Sequence, residues 1–149
     1  MKNLDEVKKE LEIRILAPEF SDLNEIYDWF AQLEIKDIES HFGYEDEHYC
    51  RIPLLASDKY DLLICCWKPG QKSAFHGHPN QGCLVKILEG TTTEEVEFAD
   101  GKLETKQNTK GSVGYINDSI GVHRIWNGSD QNAVSLHLYS PGGYRPVFK

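Results

Sequence analysis

A chain of 149 residues with 24 acidic against 16 basic side chains, net charge −8, has no basic run or stripe with which to neutralise nucleic-acid phosphates. No apolar run approaches the ~20 residues of a membrane span, and the charged opening MKNLDEVKKELEIRIL lacks the apolar stretch of a signal peptide. Cys50, Cys65, Cys66 and Cys83 show no disulfide or zinc spacing, so free thiols in a reducing, cytoplasmic setting are expected, in a monomer of one domain with a sizeable core.

Residues 2–16 read as a helix, with Leu4, Val7 and Leu11 on one stripe before Pro18. Ser21 is a candidate N-cap and Asp22 suits the positive end of a second helix. That helix carries Leu23, Ile26, Tyr27, Phe30 and Leu33 along one face. A shorter third helix is expected over Ile35–His41. These 44 residues form a helical segment expected to pack on residues 45–149.

From Tyr49 the pattern becomes that of short strands. They are expected at Tyr49–Leu55, Asp61–Trp67, Ser73–His78, Cys83–Leu88, Thr92–Phe98, Lys102–Gln107, Val113–Ile116, Val122–Trp126 and Ala133–Tyr139. Pro69-Gly70, Pro79-Asn80, Asp100-Gly101, Lys110-Gly111 and Asn127-Gly128 punctuate them. Such a series predicts a sandwich or barrel. Cys65 and Cys66, as neighbours in a strand, should point to opposite faces.

The stretch FHGHPNQGCLVKILEG holds His76 and His78 at i and i+2, the same face of a strand. Two imidazoles so placed can converge on one metal ion, or they can be ordinary surface histidines. His123, in GVHRIWN, is the candidate third ligand. Three neutral imidazoles would leave coordination positions open, unlike a closed four-ligand structural zinc site. Imidazole ligation suits Zn, Cu, Fe or Ni and does not choose among them. Cys83 is a buried small hydrophobe, a fourth ligand, or a neighbour of the metal. Arg51 is a solvated strand residue or a bidentate grip on a carboxylate, with Tyr49 on its face. Ser135, His137 and Tyr139 alternate with Leu136 and Leu138. Their polar face is either a solvated sheet surface or a hydrogen-bonded row ending in a phenol.

The run G-x5-H-x-H-x4-C-x6-G, from Gly70 to Gly90, resembles the first cupin motif with Cys83 where glutamate is common. His123-x3-Asn127 resembles the second motif without its preceding Pro-x-Gly. Together with Tyr49-x-Arg51, Cys66-Trp67, Tyr115–Arg124 and Ser135–Pro141, the chain resembles the cysteine dioxygenases over roughly Tyr49 to Pro141. The resemblance implies a cupin-type (jelly-roll) β-barrel with two or three N-terminal α-helices packed outside. It implies Fe(II) on His76, His78 and His123, and oxidation of L-cysteine by O2 to the sulfinate. Arg51 would hold the substrate carboxylate beside Tyr49, and Trp67 would pack near the site. Tyr139 would be the active-site phenol, buttressed by His137 and Ser135, and Cys83 its partner in a thioether. Arg51 favours cysteine, because the sister mercaptopropionate dioxygenases usually carry Gln there. Arg145 offers a second arginine for a carboxylate, and Pro141-Gly142 departs from a common Pro-Pro. A dioxygenase for 3-mercaptopropionate or cysteamine, or a non-catalytic metal-binding cupin, are the alternatives.

Overall fold

The computed structural model describes residues 1–143. Arg145, the second candidate carboxylate anchor, lies outside them. Helix α1 (Leu4–Ile15) opens on a capping box: the Asn3 side chain accepts from the Glu6 N–H, and Glu6 reaches back to the Asn3 N–H. Its stripe Val7, Leu11 and Ile15 is buried. The expected second helix begins instead as a 3-10 turn (Leu23–Ile26) and becomes α-helical only in α2 (Tyr27–Gln32). The cap is Asp22 rather than Ser21; the Ser21 hydroxyl bonds Glu25, which closes the capping box on Asp22. A 3-10 start is frequent at helix N-termini, and Leu23, Ile26, Phe30 and Leu33 still share one buried face. The expected third helix shrinks to a single 3-10 turn, Ile38–His41, entered through Asp37 at φ 57°. Among the described residues no helix is long and apolar enough to cross a membrane.

Among the described residues eight strands are formed: β1 (Cys50–Ala56), β2 (Asp61–Trp67), β3 (Cys83–Glu89), β4 (Thr91–Phe98), β5 (Leu103–Thr109), β6 (Val113–Ile116), β7 (Gly121–Trp126) and β8 (Ala133–Tyr139). They make a five-stranded sheet in the order β1-β2-β8-β3-β6 and a three-stranded sheet in the order β5-β4-β7. Neighbouring strands in both sheets run antiparallel. The ninth expected strand, Ser73–His78, is not one. This segment meets β7 in isolated bridges at Lys72↔Trp126 and His76↔His123, with the Ser73 N–H donating to the Ile125 carbonyl oxygen between them. Between them the Ser73 hydroxyl accepts the Ile125 N–H that a strand carbonyl would otherwise take. The histidine pair therefore sits on an irregular extended segment laid along β7.

Period-two alternation sorts the five-stranded sheet into two faces. Leu62, Ile64 and Cys66 of β2, with Val134, Leu136 and Leu138 of β8, face outward and pack in one cluster with Val7, Leu11, Phe30 and Leu33 of the helical segment. Leu63, Cys65 and Trp67 face inward and meet Ile125 of the other sheet and Ala133. Cys65 and Cys66 thus occupy opposite faces, as neighbours on a strand must. The helices cover the outer face, which leaves Ser135 and His137 buried on the inner one. The polar face of β8 is interior, not solvated. Gly90 makes the tight passage from β3 to β4 at φ +72°; a Cβ there would stand 2.5 Å from the Asn132 carbonyl oxygen, so only glycine fits.

Candidate functional site

The segment carrying His76 and His78 crosses beside His123 on the inner face of β7, and one ligand atom from each of the three imidazoles lies within 4.8 Å of the others. His76 Nε2 and His78 Nε2 are each 3.0 Å from His123 Nε2. The other ring nitrogens fix the tautomers. His76 Nδ1 lies 2.9 Å from the Ala74 carbonyl oxygen and His123 Nδ1 lies 2.7 Å from Glu94 Oε2. Both acceptors require an N–H on Nδ1, so both Nε2 atoms present lone pairs. Two lone pairs 3.0 Å apart repel unless a cation stands between them. Imidazole–metal bonds of about 2.1 Å place adjacent ligand nitrogens at about that separation. Burial, with the neighbouring His123 next in weight, pushes His76 down to about 4 and His78 down to about 2, so both rings are neutral and able to ligate. The donor set fits a metal ion.

Two carboxylates complete this arrangement, and the sequence had singled out neither. Glu94, on the inner face of β4, orients His123. Burial pushes its carboxyl up, but the hydrogen bond and charge of His123 outweigh burial and leave it below the ordinary value. Asn108 Nδ2 donates to Glu94 Oε1 and Lys106 Nζ stands 3.6 Å from it. Asp118 accepts the His78 backbone N–H at 2.7 Å and sits 3.6 Å from His78 Nδ1. Alternation along β4 marks Glu94 and Val96 as one face, against Glu95, which pairs with Arg124 outside. That alternation was the available signal, but it does not say which face is interior.

A small cleft of about 30 Å³ opens beside the histidines, lined by Tyr49, Arg51, Trp67, His76, His137 and Tyr139, with Cys65, Ser73 and Ile125 completing it. Tyr49 stacks on Trp67 with ring centroids 4.2 Å apart. Arg51 lies opposite Cys65 in the β1–β2 register, and its charge opposes the burial that raises the Cys65 thiol. Within the described residues no ion pair involves Arg51. On the inner face the indole Nε1–H of Trp67 donates to Ser135 Oγ at 3.0 Å. Ser135 Oγ lies 2.7 Å from His137 Nε2, and His137 Nδ1 lies 3.2 Å from the Tyr139 hydroxyl. Burial holds His137 down at about 3 and raises Tyr139 far above its ordinary value, so both are neutral. Cys83 is the direct partner of Tyr139 in the β3–β8 register. Its thiol is pushed up by burial first, with the neighbouring Tyr139 opposing. Cross-strand partners have Cβ atoms about 5 Å apart, which puts this thiol against the phenol.

The family model described as cysteine dioxygenase type I matches residues 19–145. The chain belongs to the cysteine dioxygenase type I family. The cysteine dioxygenase type 1 of Danio rerio is 40% identical over 92 residues, which cover 56% of this chain and 46% of that protein. The human cysteine dioxygenase type 1 is 42% identical over 92 residues with the same coverage. The chain spans about half the length of these curated relatives. A Klebsiella pneumoniae protein with a double-stranded β-helix domain has a similar fold, with TM-score 0.66, 14% identity, and coverage of 78% of this chain and 97% of its own. As in the cupin-type architecture, the site of this cysteine dioxygenase family member lies between its two sheets.

Proposed function

We propose that the protein is an iron-dependent thiol dioxygenase that converts L-cysteine and O2 to cysteine sulfinate, both oxygen atoms entering the product. The observation that carries the reading is Arg51: a guanidinium without an ion-pair partner in the described residues, in the same cleft as His76 and Tyr139. A small thiol with a carboxylate answers that arrangement, and the family membership points the same way.

His76, His78 and His123 would hold Fe(II). When bound, the ion supplies the redox chemistry that joins O2 to sulfur and favours the substrate as thiolate. Arg51 grips the substrate carboxylate with charge-assisted hydrogen bonds, which orients the substrate but makes no bond. The Tyr49–Trp67 stack and Ile125 wall the cleft and limit water. Tyr139, backed by His137 and Ser135, offers a neutral phenol hydroxyl to the bound thiol acid. Cys83 and Tyr139 form a thioether: the S–H and an ortho ring C–H break, an S–C bond forms, and two electrons and two protons pass to O2. The cross-link locks the ring.

The test is oxygen uptake by the Fe(II)-loaded protein with L-cysteine, 3-mercaptopropionate and cysteamine, with products weighed by mass spectrometry under 18O2. Cysteine is expected to be turned over best, with both labelled atoms in the sulfinate. Preference for another thiol would reassign the substrate. Iron binding with no uptake for any thiol would leave a metal-binding cupin without this activity.

A further inference from the structure

Two of the four cysteines face each other across neighbouring strands. Cys50 opens β1 and is the direct register partner of Cys66 in β2. Directly opposite residues of an antiparallel pair project to the same face, and both lie in the apolar cluster under the helical segment, beside Ile52 and Ile64. Both thiols are free. Antiparallel partners have Cα atoms about 4.5 or 5.5 Å apart, depending on their place in the ladder, and a disulfide takes Cα separations of about 4.4–6.8 Å. The two Cβ atoms must close by roughly an ångström to reach the bonded distance. β1 is the strand that can yield. It is the outermost strand of its sheet, its register slips between Pro53 and Leu55, and Cys50 is its first residue. The other two thiols face elsewhere: Cys65 points to the opposite side of β2, and Cys83 lies on β3 opposite Tyr139.

We propose that Cys50 and Cys66 are a redox modification site: a low-molecular-weight disulfide joins them in a reversible cross-strand disulfide that rivets the start of β1 to β2. Exposure sets the order of events. Cys50 is partly open to solvent, whereas Cys66 is 0% exposed. Cys50 gives its S–H proton to water and attacks the small disulfide RS–SR; one thiolate leaves and takes up a proton. Cys66 then loses its proton and attacks the Cys50 sulfur of the mixed disulfide, and the second RS group leaves as RSH. The sum is two protein thiols and RS–SR giving one protein disulfide and two RSH, with neither O2 nor metal consumed. Burial raises both thiols above the ordinary cysteine value, so the pair reacts through its placement and not through an acidified thiol. The bond fixes the residue between Tyr49 and Arg51, and with it the strand that brings both to the cleft. The dioxygenase reading enters only in the choice of cystine, the disulfide of the proposed substrate, as the probe.

The experiment incubates the full chain, stripped of metal and held under argon, with cystine, then blocks remaining thiols with iodoacetamide for intact and peptide mass spectrometry. The expected result is a loss of two hydrogens that dithiothreitol restores, carried by a linked Cys50/Cys66 peptide, with fragmentation between Cys65 and Cys66 showing which of the two is bonded. Reversal by dithiothreitol also separates this bond from a Cys83–Tyr139 thioether, which no thiol reduces. Cys50→Ser, a change at a partly exposed strand end, should show no reducible loss. The oxidised wild type should unfold at a urea midpoint higher by about 1–2 M than the reduced form, because the link closes the loop from 50 to 66 in the unfolded chain. A cystine adduct that stays on Cys50 with Cys66 alkylated overturns the proposal, as do two alkylated thiols, a link to Cys65, or a reducible loss that persists in Cys50→Ser. An unchanged or lower midpoint overturns the riveting of β1. None of these readings depends on oxygen uptake, so a protein without dioxygenase activity gives the same answer.

Discussion

At the scale of single residues, the proposed site separates groups that would hold the metal from groups that would hold the substrate. His123 stands between His76 and His78, at 3.0 Å from each. His123→Ala is expected to lose most bound iron, measured by elemental analysis, while circular dichroism stays native; full iron content would remove His123 from the ligand set. Glu94→Gln keeps shape and loses the charge that orients His123. Outer partners of this kind typically matter by about 10–100-fold in metal affinity, and a competition titration with a chelator should read a loss of that size. On the proposed function, Arg51→Ala would remove a hydrogen-bonded charge partner of the substrate, about 1.5–3 kcal/mol. That corresponds to a loss of roughly ten- to a hundredfold in kcat/KM for cysteine, with little change for cysteamine, which has no carboxylate. Equal losses for both thiols would make Arg51 structural. The histidines and Arg51 were visible in the sequence because each sits in a motif with fixed spacing. Glu94 was not: it is one of three acids in Glu94-Glu95-Val96-Glu97, and only the three-dimensional face tells it from Glu95.

At the scale of elements, eight strands were legible because alternation and turn residues bounded them on both sides. Ser73–His78 carries the same local pattern, yet at Ser73 a side-chain hydroxyl takes one of the two ladder bonds, which no periodicity reports. The helical stripe of Leu23 to Leu33 predicted the buried face correctly and missed the 3-10 start, since both helix types place those side chains alike over a single turn. A further element-level feature lies on β3. Lys86 Nζ donates to the carbonyl oxygens of Ala31 and Leu33, 2.9 Å each, at the end of α2. The ammonium thereby caps unsatisfied carbonyls and pins the helix to the sheet. Lys86→Met should cost about 1.5–3 kcal/mol in urea unfolding and leave the metal affinity unchanged; a neutral result would show that packing alone docks α2.

At the scale of the whole molecule, burying a neutral histidine couples stability to pH. The unfolded ring titrates near 6.5, whereas burial holds His137 at about 3. Between these values the unfolded chain binds the extra proton, so stability falls as pH is lowered through that window, by about 1.4 kcal/mol per pH unit for one such group. The slope of unfolding free energy against pH, taken from about 6 to about 4, should therefore be shallower in His137→Gln than in the wild type. Identical slopes would mean that His137 is protonated in the folded protein.

The strand order has a consequence for how such a molecule can change. β8 is interior, paired on both sides, and carries the Ser135–His137–Tyr139 row on one face and the helix-facing core on the other. β1, which carries Arg51, is the outermost strand of the same sheet. On the proposed function, innovation is therefore easy at β1 and constrained at β8: a new side chain at position 51 would retune which thiol is accepted, while an edit to β8 would perturb chemistry and folding together. A lineage drifting between substrates would keep its inner strand and rewrite its border.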